Sequence, residues 1–301
     1  MRSRDHPDEC RWGGAGDGAG AGLRQRRGKR LLTRASIRTW SDIGHGPALV
    51  LLHGWGASGA FFAAQEALGG QGVRVLIPDL PGHGPTAVSD PGLTVPDLTD
   101  AVAAFLVDRQ VEKPVLVGWS MGALVALDLL HRHRMRAAGL SILDMTPKVP
   151  NAPDWAYGIA GGQTEADMTA TASAMAAGWG DFAPRIAFSL FARGAPPDPV
   201  WLAEATARLA AQDAPTLANL WRSLASTDAR PALAALDIPI QVILGARSRI
   251  YGPTLADFYR ADVPRADLTV LEGAGHAPQI EQPAAINAAL LAFVQRVTAV
   301  A

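Results

Sequence analysis

The sequence has few of the features that would allow an internal disulfide, a membrane span or binding to a charged polymer. Its 301 residues include one cysteine, Cys10, so no disulfide can form within the chain, which fits a reducing compartment. No run of about 18 apolar residues occurs, and we expect no membrane span. The net charge of −1 predicts neither nucleic acid nor an anionic membrane as the main partner. No apolar secretory signal opens the chain, so we expect a cytoplasmic protein.

Residues 1–30 differ in composition from the rest of the chain. They are rich in arginine and glycine and contain no periodic apolar pattern. This composition predicts a disordered basic tail, or sequence upstream of the true start. An anion-binding arm is the alternative.

Short apolar runs alternate with helical patterns in residues 31–146 and 232–301. Continuous apolar strands suit a sheet that is buried on both faces. Their alternation with helices predicts an α/β fold with a mostly parallel central sheet flanked by helices. The runs lie at 48–52, 73–78, 114–117, 140–143, 240–244 and 268–271.

Residues 147–231 interrupt this alternation. They contain four helical patterns and four tryptophans but no strand pattern, and they are too long for a loop. We expect a helical lid over the sheet, which would shape a substrate pocket. The alternative is a helical subdomain whose tryptophans pack only its own core.

The segment Gly118-Trp119-Ser120-Met121-Gly122 follows an apolar run and opens a helical pattern. This strand–turn–helix context is the one in which a G-x-S-x-G nucleophile elbow occurs. The turn is tight, so side chains at Gly118 and Gly122 would collide with neighbouring backbone. We therefore predict that Ser120 is a nucleophile at the carboxyl end of the sheet.

A second loop, His53-Gly54-Trp55-Gly56, directly follows the run at 48–52. A backbone N–H from such a loop, together with that of the residue after an elbow serine, can stabilise an oxyanion. We predict Trp55 and Met121 as these donors. His53 is expected to brace the loop.

The base is predicted to be His276, in Gly273-Ala-Gly-His276-Ala-Pro278 after the last apolar run. The glycine-rich loop is free to bend toward Ser120, and a histidine is the usual partner of a serine nucleophile. His83, in a loop at 79–84, is expected to be structural.

Four motifs together resemble the α/β-hydrolase superfamily over residues 35–298: HGWG at 53–56, DLPGHG at 79–84, GWSMG at 118–122 and GAGHAP at 273–278. Within it the chain is most similar to pimeloyl-acyl-carrier-protein methyl ester esterases. The resemblance implies a serine hydrolase that needs no metal and no organic cofactor.

The acid departs from the superfamily pattern. The usual position, after the penultimate strand, holds Ser248, which cannot carry a negative charge beside an imidazolium. Some members place the acid after the preceding strand, where this chain has Asp144. We predict Asp144 as the acid, which leaves Ser248 without a part in the chemistry. Alternatively, Asp144 only caps a helix or binds loop amides. Asp257 and Glu272 are further candidates for the acid, and a Ser–His dyad without an acid is another alternative.

These motifs predict a serine hydrolase that cleaves small or medium carboxylic esters through an acyl-enzyme. A thioesterase, a lactonase or a cofactor-free perhydrolase would use the same triad. A proline-iminopeptidase-like enzyme and a catalytically silent interaction protein are further alternatives. An acyl-carrier protein is not favoured as partner, because six basic and eight acidic residues give segment 147–231 a net charge of −2.

Overall fold

A seven-stranded sheet forms the centre of the computed structural model, which describes residues 37–84 and 90–299. In spatial order the strands run β1-β3-β2-β4-β5-β6-β7; β1 is antiparallel to β3, and the other neighbours are parallel. The strands are β1 Arg38–Ile43, β2 Ala48–Leu52, β3 Arg74–Asp79, β4 Val115–Trp119, β5 Gly139–Leu143, β6 Ile240–Gly245 and β7 Ala266–Leu271. The predicted α/β fold is confirmed. The predicted basic tail and Cys10 lie outside the described residues.

Helices cover both faces of this sheet. In chain order they are α1 Val95–Asp108, α2 Met121–Arg132, α3 Glu165–Ala177, α4 Trp179–Ser189, α5 Pro199–Ala210, α6 Ala214–Ala225, α7 Arg230–Ala234, α8 Thr254–Asp262, α9 Pro278–Glu281 and α10 Pro283–Thr298. A 3₁₀-helical segment, Gly59–Gln71, also packs on the sheet. In the described ranges, no helix combines the length and the apolar character needed to span a membrane.

Side chains of β2 show how the two faces are filled. Val50 and Leu52 enter an apolar cluster with α1 and α2, whereas Leu49 and Leu51 enter another with the 3₁₀ segment and α10. Successive residues of a strand point to opposite faces, so a strand covered on both sides is apolar throughout. The continuous apolar runs in the sequence have this origin.

Helices α3 to α7 lie between β5 and β6 in the chain. The two ends of this insertion meet, because Lys148 and Asp228 form an isolated antiparallel bridge and Ala229 N–H donates to Pro147 O at 2.9 Å. The insertion therefore leaves the sheet and returns to it at nearly the same point. It does so at the carboxyl end of β5, where the candidate site lies.

Candidate active site

Ser120 occupies a sharp turn between β4 and α2. Its backbone has φ 53° and ψ −127°, in a region that residues other than glycine rarely adopt. Its N–H donates to Leu143 O at 3.1 Å, which continues the hydrogen bonding between β4 and β5 by one residue. The strained turn places Ser120 at the carboxyl edge of the sheet, at the N-terminus of a helix.

The two glycines of the elbow leave no room for a side chain. A Cβ atom at Gly118 would lie 2.3 Å from Ala123 Cα, and one at Gly122 would lie 2.0 Å from Leu52 O. Both obstacles are backbone atoms, which a rotamer change cannot move. The predicted reason for glycine at these positions is confirmed.

His276 and Asp144 form a buried pair. The distance between His276 Nδ1 and Asp144 Oδ2 is 2.7 Å, and the two side chains are 5% and 1% exposed. Asp144 follows β5 directly and its N–H donates to Ile243 O at 2.8 Å, so the neighbouring strand β6 holds it. With Nδ1 engaged by the carboxylate, Nε2 is the ring nitrogen left for a proton from a serine.

Backbone contacts hold the histidine loop from two sides. Trp119 Nε1 donates to His276 O at 2.6 Å. Glu281 accepts from Gly275 N–H at 2.6 Å and from Ala192 N–H at 2.8 Å, and therefore ties the histidine loop to the segment between α4 and α5 of the insertion. Burial raises the pKa of Glu281. Glu281 was not predicted as part of the site, because its partners are backbone amides, which leave no motif in the sequence.

Ser248, which was not expected to take part in the chemistry, is in contact with Asp144. Its Oγ donates to Asp144 Oδ2 at 2.7 Å. Gly245 N–H donates to Asp144 Oδ1 at 3.0 Å. The sequence contained a signal for this contact, because Asp144 and Ser248 follow neighbouring parallel strands, whose carboxyl ends share one edge of the sheet.

One predicted oxyanion donor, Met121, directly follows Ser120, and the other, Trp55, belongs to a loop that contacts the elbow. Met121 is the first residue of α2, so its N–H belongs to the first turn, where donors have no partner within the helix. The loop of Trp55 packs on the elbow, because a Cβ atom at Gly54 would lie 3.0 Å from Ser120 Cβ. The Trp55 indole N–H donates to Leu217 O of the insertion at 2.9 Å.

His53 links two loops. Its Nε2 accepts from Leu80 N–H at 2.9 Å, so the ring proton is on Nδ1, which donates to Gly54 O at 2.9 Å. The rings of His53 and His83 lie 5.1 Å apart. Burial lowers the pKa of His53 to about 4 and that of His83 to about 3. Both rings are therefore neutral at pH 7, as a bracing role requires.

Ser120 and His276 open into one cavity of about 90 Å³. More than half of its lining comes from the insertion, and most of the lining is aliphatic or aromatic. The lining residues are Trp55, Ser120, Met145, Val149, Ile159, Met175, Ile186, Ser189, Leu190, Trp221, Leu224, Ile250, Tyr251 and His276.

The tryptophans of the insertion do not share one role. Trp221 lines the cavity and packs against Trp55, with ring centroids 5.1 Å apart, and Trp179 also contacts Trp55 at 5.8 Å. Trp155 instead packs on Phe258 of α8 at 4.8 Å. Tryptophans of the insertion therefore pack against residues outside it, not only within its own core.

Comparison with known proteins confirms the resemblance drawn from the four motifs. Residues 49–289 match the profile described as the alpha/beta hydrolase family. The pimeloyl-acyl-carrier-protein methyl ester esterase of Aromatoleum aromaticum is 33% identical over 242 residues, which cover 79% of this chain and 94% of that protein. The protein of the same name from Stenotrophomonas maltophilia is 31% identical, with coverage of 83% and 94%.

A solved structure supports the fold. A thermophilic esterase from Thermogutta terrifontis superposes with a TM-score of 0.75 at 24% identity, over 87% of this chain and 93% of that one. At this identity the similarity concerns the arrangement of helices and strands, and the chemistry has to be argued from the site itself.

Proposed function

The chain belongs to the alpha/beta hydrolase family, and on that premise we propose that it hydrolyses carboxylic esters through an acyl-enzyme on Ser120. The observation that carries this proposal is the buried hydrogen bond between Asp144 and His276, because His276 lines the same cavity as the elbow serine. A nucleophile, a base and a group that orients the base are the minimum for acyl transfer by a serine.

In the proposed first step, His276 Nε2 takes the proton of Ser120 Oγ while Oγ attacks the ester carbonyl carbon. The carbonyl π electrons move to the oxygen, and the Trp55 and Met121 N–H groups stabilise the resulting oxyanion. Collapse of this intermediate expels the alcohol, which receives the proton from His276. Water then attacks the acyl-enzyme with the same base, which releases the acid and restores Ser120.

Asp144 has two parts in this scheme. Its bond to Nδ1 selects the tautomer in which Nε2 can accept a proton, and its charge stabilises the imidazolium that forms. Because the pair is buried, water screens this interaction little. Loss of the charge should therefore slow the reaction by orders of magnitude.

The apolar cavity supports esters of small or medium acyl groups as substrates. In this proposal helices α3 to α7 act as a lid whose side chains limit the acyl chain. The curated relatives are named for an ester borne by an acyl-carrier protein, but the acidic balance of residues 147–231 does not favour an acidic partner. A thioester or a lactone would react by the same steps.

The test is hydrolysis of p-nitrophenyl esters of increasing acyl length by the wild type, Ser120→Ala and Asp144→Asn. We expect an active wild type, a loss of about 10⁴-fold or more in Ser120→Ala, and a loss of about 10³- to 10⁴-fold in Asp144→Asn. Labelling by a fluorophosphonate should occur in the wild type and be absent in Ser120→Ala. Full activity of Asp144→Asn would show that the acid is elsewhere. A wild type that hydrolyses no ester or thioester and resists the label would indicate an interaction protein.

A further inference from the structure

Ser248 lies in the loop after β6, is 2% exposed, and has a fully engaged hydroxyl group. Its Oγ accepts from Ile250 N–H and from Tyr251 N–H, both at 3.3 Å. A serine hydroxyl has two acceptor sites and one donor. With both acceptor sites facing backbone amides, the hydroxyl proton is directed at Asp144 Oδ2, 2.7 Å away.

The Asp144 carboxylate receives hydrogen bonds from two directions. Gly245 N–H and Ser248 Oγ, both from the end of β6 and its loop, bind Oδ1 and Oδ2, and His276 Nδ1 binds Oδ2. Ser248 and His276 thus share one carboxylate oxygen. The backbone of Asp144 has φ 42°, an uncommon value for a residue other than glycine, so side-chain contacts help to keep it there.

We propose that Ser248 is a positioning residue, whose hydroxyl group holds the Asp144 carboxylate toward His276. Position 248 is also a place from which a carboxylate side chain could orient the same histidine. This inference rests on the proposed function. Ser248 acts through Asp144 and is absent from the cavity lining described above, so it should affect turnover and not substrate binding. Removal of the hydroxyl group frees one side of the carboxylate and lowers the fraction of molecules with an oriented base.

Position 248 is also near His276. Ser248 Oγ lies at most two hydrogen-bond lengths from His276 Nδ1, because both atoms bind Asp144 Oδ2. An aspartate at position 248 carries its carboxylate oxygens one bond further along the side chain, toward the imidazole. With asparagine at position 144, this carboxylate would be the charge that orients His276. With aspartate at both positions, two buried carboxylates would repel each other and displace the base.

The first experiment compares Ser248→Ala with Ser141→Ala by ester hydrolysis. Ser141 is a matched control, since it is a buried serine of β5 whose Oγ donates to Gln241 Oε1 at 2.8 Å, within the sheet. We expect Ser248→Ala to lose about tenfold in kcat while KM stays within about twofold. Ser141→Ala should keep both constants. Thermal melting verifies that both variants are folded.

The second experiment is a cycle of wild type, Asp144→Asn, Ser248→Asp and the double variant. We expect Ser248→Asp alone to be at least about tenfold slower than the wild type, and the double variant to be at least about tenfold faster than Asp144→Asn. A substitution that harms one background and rescues the other cannot arise from a general loss of structure. If the variants at position 144 do not fold, the kcat and KM of Ser248→Ala decide alone.

Wild-type kcat in Ser248→Ala, together with a folded double variant no faster than Asp144→Asn, would overturn the proposal and leave the proposed function standing. An inactive wild type that resists the fluorophosphonate would end both.

Discussion

Two residues proposed for catalysis share an unusual backbone geometry. Ser120 and Asp144 have φ of 53° and 42°, and each comes directly after a parallel strand. Each N–H donates to the next strand, from Ser120 to Leu143 O and from Asp144 to Ile243 O. The sheet thus extends its hydrogen bonding by one residue into each turn, which offsets strain in the turn. Both turns are thereby held in place, and Ser120 also lines the cavity, which suits a residue that must meet the reacting atoms.

At this scale we predict that Gly122→Ala is destabilised by about 3 kcal/mol or more, because the new methyl group would lie 2.0 Å from Leu52 O. Chemical denaturation measures the loss. Gly70→Ala is the control, since a Cβ atom there meets nothing within 4 Å, and it should stay within about 1 kcal/mol of the wild type. Equal stability of the two variants would mean that the elbow can relax around a side chain.

At the scale of elements, the insertion supplies more than half of the residues that line the cavity. Helices α3, α4 and α6 contribute Met175, Ile186, Ser189, Trp221 and Leu224 to its lining. The insertion is also tied to the core through Trp55 and Glu281. Side chains on these helices should therefore determine which acyl chains enter, while the residues after the strands carry out the chemistry.

We predict that Leu224→Ala shifts the preferred p-nitrophenyl ester toward longer acyl chains. The change removes three carbons from the cavity wall, and the ratio of kcat/KM between a longer and a shorter ester should rise about tenfold. Leu220→Ala is the matched control on the same helix, because Leu220 is buried but points toward Gly82. It should lose stability and keep the wild-type chain-length profile. An unchanged profile in Leu224→Ala would argue against a lid that selects substrates.

At the scale of the whole molecule, the two buried histidines make stability depend on pH. In the unfolded chain a histidine takes up a proton near pH 6.5, whereas His53 and His83 do so only near pH 4 and pH 3 in the folded protein. Between these values the unfolded state binds more protons, so stability falls as pH falls. Burial raises the pKa values of Asp79 and Glu281, and these two groups act in the opposite direction, because the folded state binds more protons where they titrate.

We therefore expect the free energy of unfolding to fall by about 2–3 kcal/mol between pH 7.5 and pH 5.5, as measured by urea denaturation. In His83→Gln, about half of this decrease should disappear, because one of the two groups no longer titrates. His131→Gln, at an exposed position, should keep the wild-type decrease. A decrease of equal size in His83→Gln and the wild type would contradict the assignment to the buried pair.

Much of the fold could be predicted because its signals are local. A short apolar run such as 48–52 indicates a buried strand, and glycines at 118 and 122 belong to a turn with no space for side chains. The 3₁₀ segment Gly59–Gln71 and helix α8 were not predicted. The 3₁₀ segment lacks an amphipathic period, since it packs by small residues and two phenylalanines.

The sequence by itself determined the family, the order of most strands and helices, and the loops that carry Ser120, His276 and Asp144. Only the tertiary structure decided which carboxylate meets His276 and what holds that carboxylate. The reason is physical: Asp144, Ser248 and His276 are far apart in the chain, and parallel strands bring their ends to one edge of the sheet. Whether a hydrogen bond forms between such ends depends on differences in atomic position of a few tenths of an ångström. No pattern of residues along the chain contains this information.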